Sequence, residues 1–214
     1  MAVEAIVFDV NESLSDMAPL RDRFVDVGLP LATLDSWFAG VLRDGFALAA
    51  VGEFRPFGQI AAGNLRGMLD DDQIAHVLAG FRELDPHPDV PEGMQRLAQA
   101  GFRLITLTNG ATAMSLGMFE RAGFLGLLED TLSVEDVQCW KPAPDAYRHA
   151  ARTADLPFER MAMVAVHPWD IHGAQRVGMV GVWVNRDGGT YPDYLPAPEV
   201  SVTDLRDLPA ALAG

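Results

Sequence analysis

Four stretches restrict what this chain of 214 residues can fold into: AIVFDV (5–10), FRLITLTN (102–109), MAMVAV (161–166) and MVGVWVN (179–185). Each is rich in strand formers and apolar almost without interruption, whereas a strand with one wet face would alternate apolar and polar residues. Such runs are strands covered on both faces, the condition of a parallel sheet packed between helices. Apolar residues at helical spacing fill the intervals, in PEGMQRLAQAG (91–101), TAMSLGMFERAG (112–123) and APDAYRHAARTADL (143–156). Two of these segments close on Gly101 and Gly123, as a helix ending in left-handed backbone would. The alternation predicts a doubly wound α/β core with a mostly parallel sheet.

Between residues 16 and 84 that alternation stops, and the periodicity is helical throughout. PLRDRFVDVG, LATLDSWFAGVLRDGFALAAVG, FGQIAAGNLRGML and DDQIAHVLAGFREL read as four helices. Asp70, Asp71 and Asp72 put acids at the start of the last one, where they meet the positive end of its dipole. LDPHPDVPEG (84–93), with three prolines, reads as the return hinge. An all-helical module at 15–87 is therefore expected inside an α/β core formed by 1–14 and 88–214.

Composition narrows the partners. A formal charge of −14 without any block of Lys or Arg argues against nucleic acid and anionic membrane surfaces. An anionic substrate has to be drawn in by a local cationic pocket instead. The single cysteine, Cys139, has no disulfide partner and no companions for a Cys-rich zinc site, which fits a reducing compartment. MAVEAIVFD lacks the basic start of a secretory signal, and no run approaches the roughly 18 apolar residues of a spanning helix. A cytoplasmic protein is expected.

In open parallel sheets ligands bind beyond the carboxyl ends of the strands, so polar residues there carry the functional question. Asp9, the pair Thr108 and Asn109, and the segment from His167 to Asp170 all fall at such ends. Lys141, in CWKPAPDAY, stands in a connection before a helix. Each has an ordinary structural reading: an Asp after a strand as a turn former, TNG as a strand-end turn, KPAP as a helix start, and His167 as a packed loop histidine. Together, an acid, an amide, a lysine and a second acid at one sheet edge are the ingredients of a nucleophilic site.

In this order the residues resemble the haloacid dehalogenase superfamily of hydrolases, and within it the L-2-haloacid dehalogenase (type II) branch. FDVNESL matches the motif of the nucleophilic aspartate, LTNG the second, KPAPDAY the third and VAVHPWDIHGA the fourth. The helical insertion matches the family's cap in place and size. The resemblance implies a Rossmann-like core and a small anionic substrate, a 2-haloalkanoic acid. Asp9 would displace halide to form an ester, which water opens at the Asp9 carbonyl, giving a 2-hydroxy acid with inverted configuration. It also implies that Lys141 keeps Asp9 ionised, and that Asp170 holds Lys141 and helps orient or activate water. Thr108 and Asn109 would bind the substrate carboxylate, Ser13 would hydrogen-bond near Asp9, and Tyr147 would line the pocket close to Lys141. Asn11, Phe38 and Trp169 complete the expected substrate-facing set. The resemblance further implies no cofactor and no metal, and makes a homodimer a reasonable expectation.

The sequence departs from the pattern at named positions. The superfamily's phosphatases place a second Asp two residues after the nucleophile, where this chain has Asn11. They also hold magnesium with acids four residues apart in the fourth motif, where Val166 precedes Asp170. A magnesium-dependent phosphatase is thus the alternative reading. A catalytically impaired relative that binds a small acid or a protein is the second. Within the dehalogenase branch, Asn11 and Glu12 stand where a tyrosine and a glycine are common, and Ala165 and His167 where a serine and an asparagine are. His167 is a candidate to take over water activation, since imidazole titrates near neutral pH. In the insertion Trp37 is kept, but Phe38 replaces the arginine that cradles the leaving halide. Arg43 lies about 140° further round a helix and cannot substitute. Phe38, Leu42 and Phe46 read either as an apolar pocket wall or as an ordinary buried helix face.

Overall fold

A computed structural model describes residues 3–213. Strands β1 (Ala5–Phe8), β2 (Arg103–Thr108), β3 (Leu128–Ser133), β4 (Met161–Ala165), β5 (Val180–Val184) and β6 (Val200–Val202) form one sheet in the order β3-β2-β1-β4-β5-β6. Every neighbouring pair is parallel. All four residues of β1 and all five of β4 are buried, which is why these segments are apolar at consecutive positions.

The four strands expected from the sequence are the four central ones, and the structure adds β3 and β6. Both additions are edge strands. LEDTLS in β3 is largely half-buried and carries two acids, and VSV in β6 is three residues long. Neither presents the continuous apolar run by which a doubly covered strand is recognised.

Helices α1 (Leu20–Asp26), α2 (Thr33–Ala50), α3 (Phe57–Leu65) and α4 (Asp71–Ala79) occupy the interval between β1 and the rest of the sheet. Asp70 caps α4 in a reciprocal box: its carboxylate accepts from the Gln73 N–H at 2.9 Å, and its own N–H donates to Gln73 Oε1 at 3.1 Å. Such a cap stabilises a helix by about 1 kcal/mol. Beyond them α5 (Val90–Gln99), α6 (Leu116–Arg121), α7 (Pro144–Ala154), α8 (Pro168–Val177) and α9 (Leu208–Leu212) accompany the sheet. Helix α5 buries Val90, Gly93, Met94 and Leu97, a stripe at helical spacing, and the chain turns after it through Gly101 at φ 90°. The helix expected over 112–123 is broken: a short 3-10 turn at Thr112–Met114 precedes α6, and between them Ser115 donates its hydroxyl to the Thr112 carbonyl. No helix among the described residues is long and apolar enough to cross a membrane.

The two segments joining the four-helix stretch to the sheet run side by side. Asp16 N–H donates to the Asp85 carbonyl and His87 N–H to the Leu14 carbonyl, each at 2.9 Å, and Ser15 and Pro86 form an antiparallel bridge. Arg186, just past β5, ties this region down by donating to the Ser13 carbonyl and to Asp89 Oδ1, both at 2.8 Å. Asp89 Oδ2 in turn accepts from the Leu205 N–H.

Trp140 links the helices to the site. It is fully buried, its indole N–H donates to the Arg55 carbonyl at 2.9 Å, and its ring stacks on Phe57 at 6.1 Å. The ring lies directly on Gly45 of α2, where an added Cβ would come within 2.5 Å of it. Gly45→Ala is therefore expected to lose about 1–3 kcal/mol by overpacking, read as a lower urea midpoint at unchanged slope.

Candidate active site

The strand order reverses at β1: the chain builds outward through β2 and β3 and then crosses to β4. Ligand-binding groups in doubly wound sheets collect at that switch point, beyond the carboxyl ends of the strands. Asp9 follows the last residue of β1 and donates its N–H to the Val164 carbonyl of β4 at 3.0 Å. Asp170 lies in the first turn of α8, just after β4. Lys141 reaches them from the connection between β3 and α7.

Lys141 Nζ donates to Asp9 Oδ1 at 2.8 Å and to Asp170 Oδ2 at 2.6 Å. Lys141 and Asp170 have no exposed surface and Asp9 has 4%. Burial pushes the Asp9 carboxyl up. The charge of Lys141, that of His167 when it is protonated, and the hydrogen bonds from Lys141 and Ser13 outweigh that and hold it below its ordinary value. Burial likewise pulls the Lys141 ammonium down, but the two carboxylates overcome it and raise it. For Asp170, burial and then the charge on Asp9 win over Lys141, and its carboxyl is raised. Asp9 is the acid this arrangement keeps ionised.

The remaining polar atoms of the trio are also satisfied. Ser13 donates its hydroxyl to Asp9 Oδ2 at 2.6 Å and accepts from the Val166 N–H at 3.0 Å. Tyr147 donates to Asp170 Oδ1 at 2.7 Å. Asn109 Oδ1 accepts from the backbone N–H of Lys141 at 2.9 Å. Its amide nitrogen lies 3.5 Å from the Lys141 carbonyl.

One expected placement is corrected here. Tyr147 is fully buried with its hydroxyl on Asp170, so it braces that acid and does not line a substrate pocket. The Asn109 side chain accepts from the Lys141 N–H through Oδ1 and sets its amide nitrogen 3.5 Å from the Lys141 carbonyl, so it braces the lysine backbone and keeps a second amide hydrogen uncommitted. Thr108 Oγ1 accepts from the Gly110 N–H at 3.0 Å, and its own hydroxyl hydrogen stays available. Thr108 and Asn11 line one small cavity with Phe81, Leu84, Met114 and Met118.

On the other side of Asp9 stands an aromatic wall. His167 Nε2 is 3.6 Å from Asp9 Oδ2, and its ring stacks on Trp169 at 5.1 Å. Trp169 in turn lies 5.9 Å from Lys141 Nζ. From α2, Phe38 approaches His167 at 6.4 Å and Phe46 approaches Trp169 edge-on at 4.9 Å. Phe38 is buried and Leu42 and Phe46 are half-buried, so this is a packed helix face whose two phenylalanines meet His167 and Trp169. Arg43 points away and pairs with Asp44.

Sequence reasoning noticed Glu12 only as a departure and passed over Trp140, Phe57 and Arg186. Glu12 sits at φ 63°, and its Oε2 lies 3.5 Å from His167 Nε2. Only the pairing of β1 with β4 brings these two loops together, and nothing in the local sequence announces it. The indole before Lys141 was the available signal for Trp140, because a large aromatic directly preceding a buried charge is a natural anchor.

A family model of haloacid dehalogenase-like hydrolases matches residues 32–178, and the chain belongs to that family. Its relatives are L-2-haloacid dehalogenases, the branch its motifs resemble. Haloacetate dehalogenase H-2 of Moraxella sp. (strain B) is 26% identical over 211 residues, covering 94% of this chain and 93% of that enzyme. (S)-2-haloacid dehalogenase 4A of Burkholderia cepacia is 29% identical over 222 residues, covering 99% and 96%. A solved L-2-haloacid dehalogenase matches the whole of both chains with a TM-score of 0.93 at 25% identity. A dehalogenase solved with an intermediate complex gives a TM-score of 0.88 at 25% identity, over 100% of this chain and 98% of that one.

Removing the ammonium from this trio would strand two buried carboxylates, so Lys141→Ala is expected to cost about 3–5 kcal/mol near neutral pH. In the intact protein Asp9, lowered from 3.8, contributes stability above that value that is lost as pH falls through its folded pKa. Lys141, raised from 10.5, contributes below that value until pH climbs through its higher folded pKa. Asp170, raised, acts in the opposite sense and costs stability as pH rises past 3.8. The Lys141→Ala deficit should therefore shrink as pH falls from 7.5 toward 4, where the carboxylates take up protons. Urea unfolding of both proteins at the two pH values measures it.

Proposed function

We propose that this chain hydrolyses the carbon–halogen bond of a small 2-haloalkanoic acid through an ester on Asp9. The observation that carries the reading is the buried Lys141 ammonium shared by Asp9 and Asp170, which keeps a strand-end carboxylate charged and aimed where no water shell blunts it. An Asp9 oxygen attacks the carbon bearing the halogen from the side opposite the halide, which leaves with the bonding pair. Inversion follows from that geometry. Water then adds to the ester carbon of Asp9, and the carbon–oxygen bond to the substrate stays intact as the 2-hydroxy acid departs.

Supporting roles follow from the contacts. Lys141 and Ser13 orient Asp9, Asp170 holds Lys141, and Tyr147 and Asn109 fix those two partners. The Thr108 hydroxyl, with Asn11 beside it, is assigned to the substrate carboxylate. Phe38 and Trp169 wall the site, and the positive edges of their rings offer the departing halide its surroundings in place of an arginine. His167, 3.6 Å from Asp9 Oδ2, is assigned to water activation. Residues 15–87 act as a cap closing over this edge of a core made by 1–14 and 88–214, and the reaction takes place without a cofactor.

The donor set argues against the magnesium phosphatase alternative. Asn11 and Val166 stand where further acids would be needed. Among the described residues no group of three or more His, Cys, Asp and Glu is arranged to hold a metal ion.

Halide release from chloro- or bromoacetate should be lost in Asp9→Asn. In a single turnover in ¹⁸O-water the hydroxy acid should carry no label while Asp9 gains it; label in the product would mean direct attack by water and sink the ester. His167→Ala should slow ester hydrolysis by about 100-fold or more while halide release in the first turnover persists. Ester on Asp9 would then accumulate and be visible by mass spectrometry, and an unchanged turnover rate would remove His167 from the role.

A further inference from the structure

One proton per turnover has to leave this site. A 2-haloacid carboxylate and water become a 2-hydroxy acid carboxylate, halide and a proton, at an aspartate that is 4% exposed. Asp170 is badly placed to carry that proton. Lys141 and Tyr147 occupy its two carboxylate oxygens at 2.6 and 2.7 Å, and none of the residue reaches solvent.

A second path is built on the other side of Asp9. His167 Nε2 stands 3.6 Å from Asp9 Oδ2, 3.5 Å from Glu12 Oε2 and 3.3 Å from the Asn11 carbonyl, so one nitrogen faces both carboxylates. The His167 side chain is 13% exposed and that of Glu12 42%, so exposure rises along the series from Asp9 outward. Both line a cleft of about 400 Å³ whose rim, at Asp35, Asp187 and Gly189, is exposed. Glu12 holds its place in left-handed backbone, where a side chain costs conformational energy and glycine is favoured. A carboxylate kept there against that cost, facing an imidazole, invites a role for the side chain.

We propose that Glu12 is a proton-relay residue, passing to the cleft the proton that His167 takes from the hydrolytic water; this rests on the dehalogenation reading. As the water oxygen bonds to the ester carbon of Asp9, neutral His167, with its ring proton on Nδ1, accepts one of the water's protons at Nε2. The bond from that carbon to the alkyl oxygen then breaks with its electron pair. The departing alkoxide takes the proton of the new hydroxyl, and Asp9 returns as a carboxylate. The proton left over is the one on His167, and it moves from the same nitrogen to Glu12 Oε2 without a ring flip.

The surroundings suit a carrier. Burial raises the Glu12 carboxyl against the pull of His167, and Asp9, Asp35 and Asp187 add to the rise. The cations nearby are engaged elsewhere: Arg21 pairs with Asp35 and Arg186 with Asp89. His87 Nε2 meets the backbone carbonyl of Glu12 and not its carboxylate, and Asp16 completes the charged lining. Glu12 acts through His167 and touches no reacting atom.

The test uses the full chain with bromoacetate. In Glu12→Gln and Glu12→Gly, first-turnover halide release with enzyme in excess should stay within about twofold of wild type. Steady-state turnover should fall about tenfold or more, recover on adding imidazole buffer, and be largely retained in Glu12→Asp. Glu12→Gly also relaxes the left-handed backbone, so a stable but slow variant separates a lost relay from lost folding. Three results would overturn the relay while leaving dehalogenation standing: steady-state rates within about twofold of wild type, a loss that buffer does not restore, or halide release that falls in step with turnover. A wild-type chain that releases no halide would overturn both readings.

Discussion

Lys141 carries a full charge into a place that water does not reach, between two carboxylates that water hardly reaches either. Taking such ions out of water costs several kcal/mol each, and only close geometry with every remaining polar atom satisfied offsets it. Much of the architecture reads as provision for that one contact. The β1 and β4 ends deliver the carboxylates, Ser13 and Tyr147 take up their other oxygens, and Asn109 fixes the lysine backbone. Trp140, pressed on Gly45 and bonded to the Arg55 carbonyl, makes the four-helix stretch part of the same support. Two acids and one base leave the trio with a net negative charge when all are ionised. Lys141 and Ser13 favour the charge on Asp9, while burial and the neighbouring carboxylate work against it on Asp170.

The sheet was legible in the sequence wherever burial on both faces made a strand apolar at successive positions, as in AIVF and MAMVA. It was illegible at the edges, where LEDTLS and VSV answer to neighbours on one side only. The same division holds at the site. Asp9, His167 and Asp170 could be placed together because strand ends converge in a doubly wound fold whatever the details, whereas Lys141 and Ser13 were joined to them by the family resemblance. What Tyr147 and Asn109 bond to could not be read, because it depends on the path of a connection 23 and 32 residues away in sequence. The proximity of Glu12 and His167 was hidden for a related reason, since it needs both the β1–β4 register and a left-handed turn at Glu12.

Phe38 shows how one side chain redistributes charge. With an aromatic ring at this position of α2, the cations close to Asp9 among the described residues are Lys141 and, when protonated, His167. His167 stacks on the Trp169 ring and Phe38 packs near it, contacts that restrain the ring whose Nε2 faces the carboxylates. The aromatic wall thus does for orientation what hydrogen bonds do on the Lys141 side.

The paired linkers give the four-helix stretch a mechanical character of its own. A module on a single tether can swivel, whereas one joined by two antiparallel segments that hydrogen-bond to each other resists torsion and yields mainly by bending across the pair. Arg186 stiffens the base of that joint by gripping the Ser13 carbonyl and Asp89 together. Seated on Gly45 and bonded to the Arg55 carbonyl, Trp140 fixes the register in which the helices meet the sheet.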